Sequence, residues 1–316
     1  MSTLSKGSLF DPTLIPELIN SIKGKSSLAA LCASTPVPFN GQKEFVFTMG
    51  SEANLVAENA AKGPGNAGLA PVIINPLKIE YGARVSDEFM FASEEARLEI
   101  LMSFADGFAK KAARALDIMA FHGMNPRTAT ASGLIGTNHF DVGVAAAYEG
   151  AVGYETDANT LVETAIGMVG AYDYDVTGIA MAPAFRTKLA KLTLGTNNEQ
   201  PRFPELGWGR APGAINGLPV DVNSTVAFGG SDDLAILGDF QGSFKWGYAK
   251  EIPLKVIEYG CPDNDTVAGD LQGHNQVYLR SELYLGWGII DKKAFALIKS
   301  GAPSGGTGAT GATAGQ

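Results

Sequence analysis

The sequence predicts an α+β fold in which an extended hairpin precedes one very long helix. In order, we predict a strand at Phe45–Gly50, a polar hairpin at Asn54–Pro71, a return strand at Lys78–Ser86 and a helix at about Ser93–Phe121. A hairpin of this length and polarity has little core of its own. We therefore expect the hairpin to rest on another surface, and a second copy of the chain is a candidate for it.

The long helix is predicted by the spacing of its apolar residues. From Leu98 to Met119 they recur at steps of three and four, which is the period of one helix face. Ser93 is a favourable N-cap, Gly123 suits the C-terminal cap, and Pro126 stops the helix. About 28 residues at ~1.5 Å each give a rod of ~42 Å, which is long enough to support a flat or extended body.

The rest of the chain predicts a mixed α/β region, further strands and two terminal segments. Helices are predicted at Asn159–Tyr172, capped by Thr156 or Asp157, and at Ala182–Leu192, where Pro183 suits the first turn. The predicted strands are Val176–Pro183, Asn216–Asn223, Leu234–Phe240, Ile252–Tyr259, Gln276–Ile290 and Ala294–Lys299. Residues 1–40 are interpreted either as a plain packing segment or as an arm between subunits. The Gly-rich residues 301–316 are interpreted as a flexible tail.

Composition excludes several classes of protein. The net charge of −9 and the pI near 4.9 argue against a surface that grips nucleic acid through its phosphates. Two distant thiols, Cys32 and Cys261, make neither a disulfide framework nor a zinc site, so we expect a reducing cytoplasm. No stretch has the pattern of a signal peptide or the length of a membrane span, which predicts a protein made in the cytosol.

Motifs that carry catalytic chemistry are absent, apart from one glycine pattern. Gly63–Gly68 matches GxGxxG, and Asp87 follows at a distance that suits a ribose-binding acid. The match follows a polar run, not a buried strand, and no helix begins after it, so nothing there would bind a pyrophosphate. We interpret it as a loop tip, and a cytosolic nucleotide-dependent α/β enzyme is only a remote alternative.

No metal site or cofactor is predicted. The three histidines, His122, His139 and His274, lack the spacing of metal ligands and are interpreted as ordinary satisfied or exposed side chains. The acidic clusters Asp173–Asp175 and Asp263–Asp265 are interpreted as turns, with a weak cation site as the alternative at either.

Several motifs in a fixed order resemble the major capsid proteins of tailed double-stranded DNA bacteriophages, which have the Hong Kong 97 fold. None of these motifs is specific alone, but their shared order over about residues 10–300 is. They are LIPE (14–17), NLVAENAAKGP (54–64), ARVSDEF (83–89), LDIMAFHGMN (116–125), GLIG (133–136), GIAMAPAFRTKLAKL (178–192), INGLPV (215–220), LGDFQGSFKWG (237–247) and AFALIK (294–299).

The resemblance implies an architecture and a function. It implies an N-terminal arm at residues 1–40, an extended loop at 45–85 and a tail at 301–316. It also implies a peripheral domain built on the long spine helix, at residues 86–124 and 246–282, and an axial domain at residues 125–245 and 283–300. The implied function is a structural one, in which hexamers and pentamers form an icosahedral shell around phage DNA without sequence-specific contacts. Portal, scaffolding and decoration proteins are the other implied partners. The implied location is the virion, after synthesis in the bacterial host cytoplasm, with no membrane involved.

Some members of this family join their subunits by isopeptide bonds, and three residues match that pattern. Lys62 lies in the extended loop, and Asn275 and Glu282 lie in the matching strand. Residues seven apart on a regular strand face opposite sides, so a bulge or turn would be needed. We therefore favour an ordinary loop lysine and no enzymatic activity.

Two questions remain open within the fold: what the shell encloses, and where its scaffolding comes from. The chain also suits an encapsulin-like bacterial nanocompartment shell, which would enclose a cargo protein and not a genome. Because LIPE lies close to Met1, the chain is interpreted either as one of processed length or as one whose scaffolding is a separate protein.

Overall fold

The computed structural model describes residues 26–49, 51, 53–88, 94–149, 157–195, 198–209 and 212–301. Most of the predicted arm, the predicted caps Ser93 and Thr156, and the predicted tail beyond residue 301 lie outside these ranges. Among the described residues, no helix is both long and apolar enough to span a membrane.

Four α-helices and fifteen strands make up the described part of the chain. The helices are α1 Ser27–Leu31, α2 Glu94–His122, α3 Ala158–Gly170 and α4 Pro183–Ala190. The strands are β1 Gln42–Met49, β2 Ala67–Ile74, β3 Leu77–Ser86, β4 Met124–Asn125, β5 Thr130–Ala131, β6 Ala145–Glu149, β7 Gly178–Met181, β8 Thr193–Gly195, β9 Asn198–Pro201, β10 Ala214–Ile215, β11 Leu218–Val222, β12 Asp233–Gly238, β13 Phe244–Ile257, β14 Gln276–Ile289 and β15 Phe295–Ser300.

A six-stranded mixed sheet, in the order β10-β11-β7-β12-β15-β6, lies between two layers of helices. In β7, Ile179 and Met181 face the cluster that contains α3 and α4, whereas Ala180 faces the cluster that contains α1 and α2. Strand β15 alternates in the same way, and β12 does so from Ala235 onward. Burial on both faces explains why these three strands are continuous apolar runs.

The second main sheet has three antiparallel strands in the order β13-β14-β3. The N-terminal half of α2 packs on it, with Leu101 in one cluster with Leu254, Val277 and Leu279. The C-terminal half of α2 is buried in the main core, together with Trp246 and Trp287 of this sheet. The long helix therefore connects the two sheets.

The two helices with recognisable end signals form as predicted. Helix α2 has 29 residues and ends at Gly123, whose φ of +64° and bond from its N–H to the Met119 carbonyl form the expected cap. Helix α3 is capped by Asp157, which accepts a hydrogen bond from the backbone N–H of Asn159.

The predicted partner of the first strand is wrong. Strand β1 pairs with β2, from Gln42 opposite Ile74 to Met49 opposite Ala67. Strand β3, the predicted return strand, pairs with β14 instead. The sequence conceals β2 because it begins with small residues and contains Pro71, which this two-stranded ladder accommodates because both of its strands are edge strands.

Glycines on β13 and β14 leave space for the two segments that flank the hairpin, one at Thr35 and one at Ile74. Trp246 and Trp287 lie opposite each other and are buried, and the adjoining Gly247 and Gly286 also form a cross-strand pair. A Cβ on Gly247 would lie 1.6 Å from the Thr35 carbonyl oxygen, and one on Gly288 would lie 2.7 Å from Ile74. These positions accept only glycine, since any side chain would displace a neighbouring segment.

We expect Gly247→Ala to destabilise the protein by about 1–3 kcal/mol, because the new methyl group collides with backbone that cannot rotate away. The matched control is Gly107→Ala on α2, where a Cβ meets nothing within 4 Å. That control should stabilise by roughly 0.5–1 kcal/mol, the helix propensity difference. Chemical denaturation measures both, and equal effects of the two substitutions would contradict this account.

Candidate functional site: an exposed hairpin and two buried polar networks

One face of the β1–β2 hairpin is apolar and uncovered. The register places Phe45 opposite Pro71 and Phe47 opposite Leu69, with Ile73 beside them, so all five side chains share one face. Phe45, Phe47, Leu69 and Ile73 are 63, 59, 62 and 50% exposed. A contiguous apolar face of this kind indicates a surface made to be covered by another molecule.

The base of the hairpin is fixed to the body by the opposite face. Glu44 accepts a 2.9 Å hydrogen bond from Lys245 of β13 and a further one from Gln42. Ile74 is buried against the glycines of β14. The hairpin is therefore attached at its base, while its apolar face points away from the chain that carries it.

The connection between β1 and β2 is exposed wherever it is described, and it contains two of the sequence-level candidates. Lys62 is exposed there, with no ion pair to any described residue. Gly63–Gly68 runs into β2, so no helix N-terminus follows the glycine pattern. The geometry that a dinucleotide requires is missing at this point.

Asn275 and Glu282 lie at different places along one strand. Asn275, with φ of +53°, immediately precedes β14, and seven residues of strand put Glu282 ~23 Å further along. Glu282 is buried and paired with Lys78 at 2.8 Å, and this hydrogen bond lowers the pKa of Glu282. A site that uses both residues would have to combine more than one copy of the chain.

Asp117 of α2 is a fully buried carboxylate that binds the start of α1. It accepts hydrogen bonds from Ser26 Oγ, from the backbone N–H groups of Ser27 and Leu28, and from Thr225 Oγ1. Burial raises the pKa of Asp117 to about 6, although the hydrogen bonds act in the opposite direction. The carboxylate thus serves as an anion at the N-terminus of α1 and holds the chain at residue 26.

His122, the last residue of α2, lies in a second buried network. Its Nε2 is 3.0 Å from the Thr225 carbonyl oxygen, and its Nδ1 is 3.0 Å from Asp141 and 3.4 Å from Asp233. Both ring nitrogens face acceptors, so both must donate, and the ring is an imidazolium. Burial acts to lower the pKa of His122, but the hydrogen bonds with the two carboxylates outweigh it and raise the pKa to about 9.

Lys299 of β15 completes this network. Its Nζ lies 3.0 Å from Asp233 and 3.6 Å from Asp141. Ligand atoms of His122, Asp141 and Asp233 lie within 4.8 Å of one another, which would also suit a metal ion. The two carboxylates are already balanced by the imidazolium and the ammonium, and a divalent ion would leave excess positive charge in a buried place. We therefore assign an ion-pair network that joins α2 to the six-stranded sheet.

The other sequence-level candidates have local structural roles. His139 packs on Gly123, and its burial lowers its pKa. His274 bonds to the Asp270 carbonyl oxygen. Arg84 donates to both oxygens of Asp263 and holds the pKa of that carboxyl below its usual range.

The acidic turn at Asp173–Asp175 also closes locally. The N–H of Asp173 donates to the Gly170 carbonyl oxygen, and the Tyr174 hydroxyl donates to Asp291. In the turn at Asp263–Asp265, the Arg84 guanidinium therefore takes the place of the cation that was considered there. The turn at Asp173–Asp175 is held by its own backbone.

The His122 network predicts loss of stability in alkali. The folded-state pKa of about 9 lies above the ordinary 6.5, so its stabilisation is complete below 6.5 and is lost as pH rises through 9. The difference corresponds to about 3 kcal/mol. Denaturation of the native protein and of His122→Gln across this window should converge at high pH. A difference between the two that is independent of pH would contradict the imidazolium assignment.

Comparisons with known proteins agree with this architecture. The model of the phage capsid family matches residues 6–300. A Mycobacterium phage Ogopogo structure is 30% identical, with 88% of this chain and 92% of that chain covered and a TM-score of 0.75. A Gordonia phage Cozz structure is 24% identical, covering 88% and 87%, with a TM-score of 0.70.

A more distant structure, described as the capsid of an empty GTA particle, shares the fold at 15% identity and a TM-score of 0.61, with 88% of this chain and 97% of that chain covered. No curated protein matches the sequence. The mixed α/β architecture, with its several sheets, is that of phage capsid structures. With a family model that spans nearly its whole length, the chain belongs to the phage capsid family.

Proposed function

We propose that this chain assembles through hexamers and pentamers into an icosahedral phage head that encloses double-stranded DNA. As a member of the phage capsid family, it is a major capsid protein, a structural subunit of a shell. The observation that supports the assembly mode is the uncovered apolar face of the β1–β2 hairpin. The side chains of Phe45, Phe47, Leu69 and Ile73 are at least half exposed in the single chain.

We assign the parts of the family architecture to the observed elements. The extended loop corresponds to β1, β2 and their connection, and the spine to α2. The peripheral domain corresponds to the three-stranded sheet, and the axial domain to the six-stranded sheet with α3 and α4. The boundary predicted between residues 282 and 283 falls inside β14, so we place the domain junction along this strand.

The negative net charge supports a shell that encloses DNA without recognising its sequence. The net charge of −9 repels phosphates, so packaged DNA would be held by confinement and counterions. Portal, scaffolding and decoration proteins are the proposed partners, and the bacterial host cytoplasm is the proposed place of synthesis. A nanocompartment shell is not favoured, because the similar structures from Mycobacterium phage Ogopogo and Gordonia phage Cozz are phage proteins. A nucleotide-dependent enzyme is not favoured, because a strand and not a helix follows Gly63–Gly68.

We further propose that the shell is held together without isopeptide bonds through Lys62. Glu282, the candidate proton acceptor, is already paired with Lys78 and has a lowered pKa, which makes it a weak base. Asn275 immediately precedes β14, seven residues away from Glu282 along the strand.

The assembly proposal is tested by removing the apolar face of the hairpin. Phe45→Ser combined with Phe47→Ser should leave thermal unfolding nearly unchanged, because both rings are already exposed. Particle yield should fall at least about tenfold, because covering the two partly exposed rings contributes about 1 kcal/mol each, and a tenfold change corresponds to about 1.4 kcal/mol. Lys43→Ser, on the same strand and face, is the matched control. Normal particles from the double variant in negative-stain electron microscopy would refute this role of the hairpin.

Crosslinking is tested on assembled particles boiled in denaturant. We expect one band at the 33.0 kDa of a single chain, identical for the native protein and for Lys62→Arg. Lys43→Arg controls for the loss of a lysine elsewhere on the hairpin. A ladder of higher bands that disappears only in Lys62→Arg would establish the isopeptide bond instead.

A further inference from the structure

A cleft of about 610 Å³ lies between the long helix and the three-stranded sheet. Its walls include Phe108, Ala115 and Ile118 of α2 and Leu77 and Ile79 of β3. Leu134, at its mouth, is 84% exposed. A cleft of this size, with apolar side chains from both walls, suits a peptide segment that carries several apolar side chains.

The rim of the cleft is positively charged. Lys111, Arg114 and Arg127 border it, and none of the three forms an ion pair with a described residue. Lys78 is also there, but its charge is neutralised by Glu282. The one other carboxylate in the lining is Glu80. The rim therefore favours a segment with acidic residues and without basic ones.

The described chain begins close to this cleft. Ser26 is bound to Asp117, one helical turn from Arg114 and adjacent in sequence to Ile118, both of which line the cleft. Arg114 also donates to Ser224, four residues before Phe228, another lining residue. Four residues of extended chain span up to ~14 Å, so residues before Ile22 can reach the cleft from Ser26.

The sequence immediately before this point has the matching chemistry. Residues 9–22 contain seven large apolar residues and the carboxylates of Asp11 and Glu17, with no lysine or arginine. The basic residues Lys6, Lys23 and Lys25 lie just outside this stretch. We propose that residues 9–22 occupy the cleft between α2 and β3 of the same chain, with Asp11 and Glu17 facing its cationic rim.

A second copy of the chain supplies a weaker alternative occupant. The described part of its hairpin connection, residues 53–66, carries one carboxylate and one lysine, Glu58 and Lys62, so it has no net charge to match the rim. The same-chain segment also has the advantage of covalent attachment, which raises its effective concentration at the cleft. The proposal concerns packing within one chain and does not depend on whether a shell forms.

The test is a pair of cysteines joined by a short bismaleimide in the full-length protein. Leu14→Cys is combined with Leu134→Cys in a Cys261→Ser background. Cys32 does not interfere, because it is buried and its pKa is raised to about 11. The matched control pairs Leu14→Cys with Leu194→Cys on β8, which is exposed but outside the cleft.

We expect crosslinked product at the mobility of a single chain, with tryptic peptide 7–23 joined to the peptide that contains residue 134. Its yield should exceed that of the control pair at least about fivefold. Crosslinked dimers would show that a second copy fills the cleft, and no product above the control would show that residues 9–22 lie elsewhere. Either result overturns the proposal.

A charge test gives an independent measure. Asp11→Asn combined with Glu17→Gln should lower the crosslinking yield about two- to fivefold, as expected for exposed ion pairs. Lys23→Gln, outside the segment, should leave the yield unchanged. An unchanged yield in the double variant would overturn the assigned contact with Lys111, Arg114 and Arg127.

Discussion

The pairing of β13 with β14 is the constraint on which the other parts of the molecule depend. Opposed Trp246 and Trp287 bury one face of this pair in the main core, and opposed Gly247 and Gly286 clear the other face. Residues 35–37 run beside the cleared face, bonded to the backbone of β13, and Ile74 rests on it. One ladder thereby positions the core, the N-terminal segment and the base of the hairpin together.

The two buried networks fix the long helix in different physical ways. Asp117 lies in the middle of the buried half of α2 and is stabilised by hydrogen bonds, so it binds neutral backbone and hydroxyl groups. His122, at the helix end, is stabilised by charge, with two carboxylates and Lys299 around it. Removing one member of the charged network would leave an unbalanced buried charge, so this junction tolerates substitution poorly. The helix is therefore held at two places, against α1 and against the sheet.

Local sequence signals identified most elements but few of the long-range contacts. The period of α2, its Gly123 cap and the apolar runs of β7, β12 and β15 are properties of short stretches, and the structure confirms them. Strand β2 was missed because small residues and Pro71 carry no strand signal. The exchange of β3 into another sheet was also missed, since strand pairing depends on residues almost two hundred positions apart.

The functional networks could not be predicted for a related reason. His122, Asp141, Asp233 and Lys299 come from four separate parts of the sequence, and each looks like an isolated polar residue. Asp117 interrupts the apolar face of α2, and this polar residue at a core position was the one available signal. Its partners near residues 26 and 225 become visible only after folding.

The energy of the hairpin face suits a shell that must correct its own errors. Four side chains that are already about half buried would gain only about 1 kcal/mol each on being covered, or ~4 kcal/mol per contact. Association alone costs roughly 4–15 kcal/mol, so the proposed hairpin contact would not by itself hold two subunits together. A subunit surrounded by neighbours makes several contacts while losing its freedom of motion once. Misplaced subunits with few contacts can therefore dissociate, whereas a closed shell is stable because all of its contacts form together.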